Sequence, residues 1–431
     1  MVRQLLNILF FILLILLAGS CTLEKSDGEL YLNELYAAIE LTAAQNPDIA
    51  RVDTIGTAAG SGSYPVKRII ITGSDLSKCA VTEKPRILIT GATHGNEQIS
   101  AEVAVKLADY LTKQYQADDN DNSTAITALL DTCEIHIVPV LNPWGVVNDR
   151  VKIDEVITNG RYTAAGIDIN RDFGSPDPYS SIPLSNPDWF HPWYGGFEAK
   201  ESRILRDLCE SERYILSIQG HTGAENINLP MDYLGYLKVV GDEGNPDYLD
   251  MYIPIFPLME SFAVNYVESV DIDKFEYIEG FDWYLVTGSV TDWHFGAMGA
   301  PGYTIEYDNY QGQPSEEAAE NVWQEHKAAL VDLLEITRHR ISGKVTAISD
   351  STPVSALITF QRSADDSRSL GDPTPITLTT RSDPDTGYYH ILIPDGEWDM
   401  TATAIGYNQF TETIIKSGIN PPPKNIQLTD A

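Results

Sequence analysis

The chain has 431 residues, 43% of them hydrophobic and 10% aromatic, which is enough for two or three domains around large cores and too apolar for a disordered chain. Its formal net charge of −33 argues against nucleic acid as a partner, because the phosphates would be repelled. The same charge favours a solvated protein working outside the cytoplasm and draws cationic ligands towards it.

Residues 1–21 stand apart from the fold. Arg3 precedes the apolar run Leu5–Leu17, and Ala18-Gly19-Ser20-Cys21 follows. At about 13 residues the run falls short of the roughly 20 that a membrane span needs, so a secretory signal is expected. Small residues directly before Cys21 resemble a bacterial lipobox, although Ala18 stands where leucine is commoner. The expectation is an exported bacterial lipoprotein, lipidated on Cys21 and touching the periplasmic or surface membrane only through that anchor. Plain secretion is the alternative. Cys79, Cys133 and Cys209 are odd in number and show no CxxC spacing, so neither a disulfide framework nor a cysteine zinc site is indicated.

A helix pattern runs from Leu30 to Ala44, and the turn Ala59-Gly-Ser-Gly-Ser63 closes this first stretch. Val66–Thr72 and Arg86–Thr90 read as strands, and the second runs into Gly91-Ala-Thr-His94. Helix patterns over Ile99–Tyr115, Glu198–Glu210 and Ala318–Thr337 alternate with apolar strands such as Tyr214–Ile218. This predicts an α/β fold with a mixed, mostly buried sheet flanked by helices. The strand-to-helix turn holding His94 and Glu97 is where such sheets carry their chemistry. Near residue 340 the periods become short and alternating, as in Ala356–Phe360, Tyr388–Ile393 and Trp398–Ala404, with turn clusters between them. Residues 340–431 are therefore expected to form a second domain, an antiparallel β-sandwich, after a catalytic domain over 22–339.

Four short words carry the chemistry. His94-Gly-Asn-Glu97 and His221 offer two imidazoles and a carboxylate, the donor set that holds a catalytic zinc and leaves a position for water. Glu306 arrives late on its own strand-like segment, a second carboxylate suited to act as a base. Asp168-Ile-Asn170-Arg171 supplies fixed donors for an anion. Each word alone is weak, since a His-x-x-Glu pair is more often a solvated surface pair.

Their order resembles the zinc metallocarboxypeptidases, closest to the branch containing carboxypeptidases D, E, M and N. His94, Glu97 and His221 match that family's zinc ligands, one ion per chain. The spacing from His221 to Asn228-Leu-Pro-Met-Asp232 matches the branch, as do Gly166-Ile-Asp-Ile-Asn-Arg-Asp-Phe173 and Asp282-Trp-Tyr284, Gly288, Asp292-Trp293 and Thr304-Ile-Glu306. The resemblance covers roughly residues 30 to 335. The later motifs Gly387-Tyr388, Pro394-Asp-Gly-Glu-Trp398 and Ala404-Ile-Gly-Tyr407 resemble the transthyretin-like domain that follows in the same branch.

The resemblance implies a carboxypeptidase acting on peptide or protein C-termini. Glu306 would be the general base, and Asp168 would orient the first zinc histidine. Asn170 and Arg171 would grip the terminal carboxylate, with Tyr284 closing over it. Arg161 would stabilise the oxyanion, and Arg150 competes for that role because this loop varies in length. Two positions depart from the family. Asp172 replaces the usual asparagine beside the anion site. Thr291 stands where this branch carries glutamine, whereas Asp232 keeps the acid that faces a basic side chain, so a lean to C-terminal Lys or Arg is expected. The rival readings are a cell-wall peptide peptidase or other amide hydrolase on the same scaffold, and a non-catalytic surface binding protein.

Overall fold

The computed structural model describes residues 26–60, 62–73, 83–117, 121–150, 152–153, 156–157, 159–174, 195–230, 232, 255–270, 272, 274–284, 286–362 and 377–431. The expected export signal over residues 1–21, with Cys21, and also Cys79 lie outside them.

Helix α1 (Asp27–Gln45) is capped by the Ser26 side chain, which accepts from the Glu29 amide. Strands β1 (Ala50–Thr57), β2 (Pro65–Thr72) and β3 (Arg86–Thr90) follow, then α2 (Gln98–Gln114), α3 (Asp121–Thr132), β4 (Glu134–Val138) and α4 (Pro143–Asn148). A two-residue-per-arm hairpin, β5 (Lys152–Ile153) and β6 (Val156–Ile157), precedes α5 (Lys200–Glu212), β7 (Leu216–His221) and β8 (Asn226–Leu229). The N-terminal part ends with α6 (Phe256–Ser269), β9 (Glu276–Glu279), the short α7 (Gly280–Trp283), α8 (Val290–Met298), β10 (Gly302–Glu306) and α9 (Glu316–Leu334).

Eight strands form one sheet in the order β1-β2-β4-β3-β7-β10-β8-β9. Its centre, β4-β3-β7-β10, is parallel, and the outer pairs β1–β2, β2–β4 and β10–β8 are antiparallel. This is the expected mixed sheet. The period-2 alternation of a strand buried on both faces is plain in β3: Ile87 and Ile89 join one core with Leu35, Leu107 and Leu330, while Leu88 joins another with Leu205 and Trp293. Each such fully buried side chain contributes roughly 1.5–3 kcal/mol. Among the described residues no helix is long and apolar enough to cross a membrane.

After residue 340 the chain forms β11 (Arg340–Ala347), β12 (Leu357–Arg362), β13 (Thr377–Arg381), β14 (Tyr388–Leu392), β15 (Gly396–Thr403), β16 (Phe410–Lys416) and β17 (Ile426–Leu428). A three-stranded sheet, β14-β11-β17, faces a four-stranded one, β13-β12-β15-β16, and the Tyr389 hydroxyl reaches Met400 Sδ across the gap at 3.8 Å. The expectation of a wholly antiparallel pair needs one correction, because β17 runs parallel to β11. These sheets dock on the N-terminal part through Thr386 Oγ1 donating to Glu83 at 2.6 Å and through Gly299, whose backbone lies so near Thr379 that an added Cβ would meet its carbonyl oxygen at 2.2 Å. Cys133 and Cys209 are free and buried.

Candidate metal centre and active site

The centre lies at the carboxyl ends of the parallel strands. The loop after β3 carries His94, and Glu97 stands just before α2, with its amide donating to the His94 carbonyl at 3.0 Å and its side chain making no capping bond. Gly95 lets this loop press on the start of α4: a Cβ there would sit 2.3 Å from Gly145 C and Val146 N. The Gly95 amide also donates to the Gly160 carbonyl at 2.7 Å, which ties the metal loop to the loop bearing Arg161.

His94, Glu97 and His221 are all buried, and one ligand atom from each lies within 4.8 Å of the others. His94 Nδ1 is 2.8 Å from Glu97 Oε1, and His221 Nδ1 is 2.8 Å from Glu97 Oε2. On the far side, His94 Nε2 donates to Asp168 Oδ1 at 3.0 Å, which leaves its Nδ1 lone pair facing a carboxylate oxygen. Acceptor then faces acceptor in a buried site, an arrangement that a proton or a cation must bridge. His221 Nε2 finds no hydrogen-bond partner. The donor set therefore fits a divalent cation of the zinc type, two imidazoles and a carboxylate with room for a further ligand. Burial disfavours charge on His94, yet Glu97 and Asp168 outweigh it and push its pKa up to about 9. Burial would raise Glu97, but the two imidazoles hold its carboxyl far below the ordinary carboxylate range. Burial leads in lowering the pKa of His221.

Glu306 ends β10 directly beside His221 in the parallel register of β7 and β10. It is 8% exposed and its Oε2 has no hydrogen-bond partner. Burial first, and the Glu97 charge second, push its pKa up to about 8, so it is a carboxyl poised to take up a proton.

The structure separates the two candidate arginines. Arg161 Nε and Nη2 bind Asp168 Oδ2 at 2.9 and 2.8 Å, and Nη1 comes within 3.3 Å of His94 Nδ1. Arg150 is turned outwards, 70% exposed, with Nη2 on the Gln311 carbonyl at 3.1 Å. Asn142, a residue that sequence reasoning missed, clasps the Arg161 loop: its Nδ2 donates to Tyr162 O at 3.1 Å while its Oδ1 caps α4 at the Gly145 amide. Asn-Pro at a helix start signals the cap; nothing in the sequence signals the second task.

Asn170 Oδ1 accepts from the Val290 amide at 3.0 Å, and Arg171 Nη1 donates to the Asn170 carbonyl at 2.7 Å. Gly288, at φ +78°, packs on this turn, where a Cβ would meet the Arg171 carbonyl oxygen at 2.5 Å. Asp172 points away from the anion site. Its carboxylate accepts from the Glu198 and Ala199 amides at 3.0 and 2.8 Å and from the Ser202 hydroxyl, so it caps the start of α5. The added negative charge is thus compensated by a helix N-terminus.

Asp232 is half-buried beside Ser289 and Arg171; desolvation raises its pKa and those two neighbours partly offset the rise. Its amide donates to both oxygens of Asp292, at 3.0 and 2.9 Å, a fully buried carboxylate to which the sequence reading assigned no role. Thr291 is buried with its hydroxyl 2.8 Å from Thr304 Oγ1, two residues before Glu306. Tyr284 is 46% exposed, its ring 4.7 Å from that of Trp283.

A second group, Glu134, His136 and Glu212, also has metal-ligand geometry. Its carboxylates already pair with Arg68 and Arg86, and Arg68 Nη1 lies 2.9 Å from His136 Nδ1, so cations of the protein's own occupy that space.

Comparison with known proteins agrees with this centre. The zinc carboxypeptidase (peptidase M14) profile matches residues 35–329. Carboxypeptidase Z of Mus musculus is 25% identical over 416 residues, covering 88% of this chain and 57% of its own length, so the chain spans little more than half of that relative. The carboxypeptidase N catalytic chain of Mus musculus is 24% identical over 400 residues, covering 89% of this chain and 82% of the relative, and carboxypeptidase D of Homo sapiens is 23% identical with 86% and 25% covered. Thrombin-activatable fibrinolysis inhibitor shares the fold, with a TM-score of 0.52 at 18% identity over 70% of this chain and 73% of that one. The profile match spans the whole constellation from His94 to Glu306, and the chain belongs to the zinc carboxypeptidase family.

Proposed function

We propose that the chain is a zinc-dependent carboxypeptidase that releases the C-terminal residue of peptides, with a lean to Lys and Arg. The observation that carries this reading is the buried convergence of His94, Glu97 and His221 with the unpartnered Glu306 carboxyl beside His221, in a chain of this family. His94, Glu97 and His221 would hold the ion. Bound there, zinc would acidify a water and polarise the scissile carbonyl.

The protein's own groups do the rest. Glu306 takes the proton of the attacking water on its free Oε2 and passes it to the leaving amine. Asp168 holds the His94 ring by its Nε2–H and anchors Arg161, whose guanidinium stabilises charge developing on the carbonyl oxygen. Asn170 and Arg171 bind the substrate's free carboxylate, which makes the reaction exopeptidic, and Tyr284 closes over it. The desolvation of Asp232 is only partly offset by Ser289 and Arg171, so it favours a basic side chain in the pocket; Thr291 lacks an amide that would assist it, so the preference is modest. We assign residues 22–339 to the catalytic domain and 340–431 to a transthyretin-like domain. Export with a lipid on Cys21 is supported by the composition of residues 1–21.

The test is a panel of blocked dipeptides that differ only in the C-terminal residue, with and without a chelator. Chelator-sensitive release of the terminal residue, faster for Arg and Lys than for Leu and Phe, is expected. Activity untouched by chelation would overturn the zinc reading. Faster cleavage of Leu or Phe would overturn the basic preference and leave the peptidase standing.

A further inference from the structure

Away from the metal centre, a cavity of about 240 Å³ opens between the catalytic half and the C-terminal sheets. Arg213 and Glu210, at the end of α5, form one wall with Ile215; Met298 closes α8 on a second; Arg381 and His390, from β13 and β14, form the third.

Two of these groups are unpaired where pairing is expected. His390 Nδ1 lies 2.8 Å from Ser342 Oγ, but its Nε2 is buried with no hydrogen-bond partner. Arg213 Nη1 is buried with no hydrogen-bond partner, and Asp383 forms a long 3.8 Å ion pair with it. The Asp385 and Thr386 amides both donate to Asp383 Oδ1, at 2.8 Å each, and Oδ2 faces Arg213 at ion-pair but not hydrogen-bond distance. Buried donors left without partners are uncommon enough to ask what satisfies them.

The electrostatics give the sign. Burial lowers the pKa of His390, and the nearby guanidinium groups of Arg340 and Arg86 lower it further. Among the described residues that line the cavity, Arg213 and Arg381 are cationic and Glu210 is acidic, and Asp383 lies 3.8 Å from Arg213. The buried Arg213 N–H without a hydrogen-bond partner belongs to a cation, so an acceptor carrying negative charge suits it best. The lining is not wholly polar, since Ile215 and Met298 present apolar surface beside the guanidinium.

We propose that this cavity is a binding site for a small aliphatic carboxylate, its charged end on Arg213 and His390 and its hydrocarbon stub against Ile215 and Met298. Because the walls come from both halves of the molecule, the ligand would fasten the C-terminal sheets to the catalytic half.

The test uses the full-length, zinc-loaded protein carrying Arg171→Ala, which removes the carboxylate clamp of the catalytic centre and so separates this proposal from that reading. Butyrate, butylamine and sulfate are compared by titration calorimetry and thermal unfolding at constant ionic strength. Butyrate alone should bind and raise the unfolding midpoint saturably, by about 2 °C or more. Adding Arg213→Met should weaken it at least tenfold. Ala297→Leu, which keeps every charge and fills the cavity, should abolish it. Peptidase activity of the Arg213→Met single variant should be unchanged. Sulfate binding as well as butyrate would overturn the carboxylate assignment, and butyrate binding that survives both substitutions would overturn the site.

Discussion

Glu306 is the side chain on which the proposed chemistry turns. Glu306→Gln should leave the fold and the zinc content intact and lower turnover by several orders of magnitude, because proton uptake and proton return are lost together. A variant keeping more than about a tenth of the wild-type rate would mean that another group is the base. The same residue makes a stability prediction for chelator-treated protein. Its pKa is raised from 4.5 to about 8 in the metal-free fold, so the fold prefers the protonated acid. That preference is fully present below the unfolded value and is lost as pH rises through the folded one. The unfolding midpoint of metal-free wild type should therefore fall more between about pH 5 and pH 9 than that of Glu306→Gln. Arg171→Ala should weaken binding of free C-terminal peptides by roughly 1.5–3 kcal/mol and leave amidated ones nearly unaffected. Equal losses would count against a carboxylate clamp. At this scale the sequence was highly legible: His94, Glu97, His221, Glu306 and Asp168 all converge. Arg161 and Arg150 could not be separated beforehand, because the choice rests on which way a loop turns. The structure turns Arg161 to Asp168 and Arg150 to the Gln311 carbonyl.

Helices and strands show where local reading stops. The helix expected over Glu198–Glu210 begins at Lys200 and runs to Glu212, and the sequence gives no hint that its N-terminus is capped by Asp172, a residue far upstream. That contact turns an apparent liability at the anion site into a helix cap. Asp172→Ala should lower stability by about 1–3 kcal/mol, and Asp172→Asn by less, since the amide keeps an acceptor but loses the charge facing the helix dipole. Thermal unfolding reads the difference; equal stability of all three proteins would mean that the cap contributes nothing. Strand β7 extends beyond the expected Ile218 to include His221, because pairing with β10 carries the ladder to its end. Helix α3, strand β4 and helix α6 were not singled out, since α3 has little amphipathic pattern of its own and β4 is defined by its neighbours β2 and β3.

For the whole molecule, the strand order β1-β2-β4-β3-β7-β10-β8-β9 is a long-range property that no local pattern encodes, although the mixed, two-sided sheet was legible from strand and helix alternation. Net charge acts at this scale too. With −33 on the chain, encounter with a cationic substrate is accelerated by a field that salt screens. The kcat/KM for a peptide ending in Arg should fall several-fold between about 0.02 and 0.5 M NaCl, and that for a neutral peptide ending in Leu should change much less. Parallel salt responses would show that the field plays no part in substrate capture.

The parallel pairing of β7 with β10 has a consequence for how the protein fails. The proposed ligand His221 and the proposed base Glu306 are register partners on two adjacent, almost wholly buried strands rather than on loops. Their amides can exchange with solvent only when the central sheet opens as a unit. Hydrogen exchange over 217–221 and 302–306 should therefore be among the slowest in the chain, and activity should disappear in urea along the same curve as the sheet itself. The centre has no separate melting point, so a folded but inactive form should not accumulate on the way to unfolding.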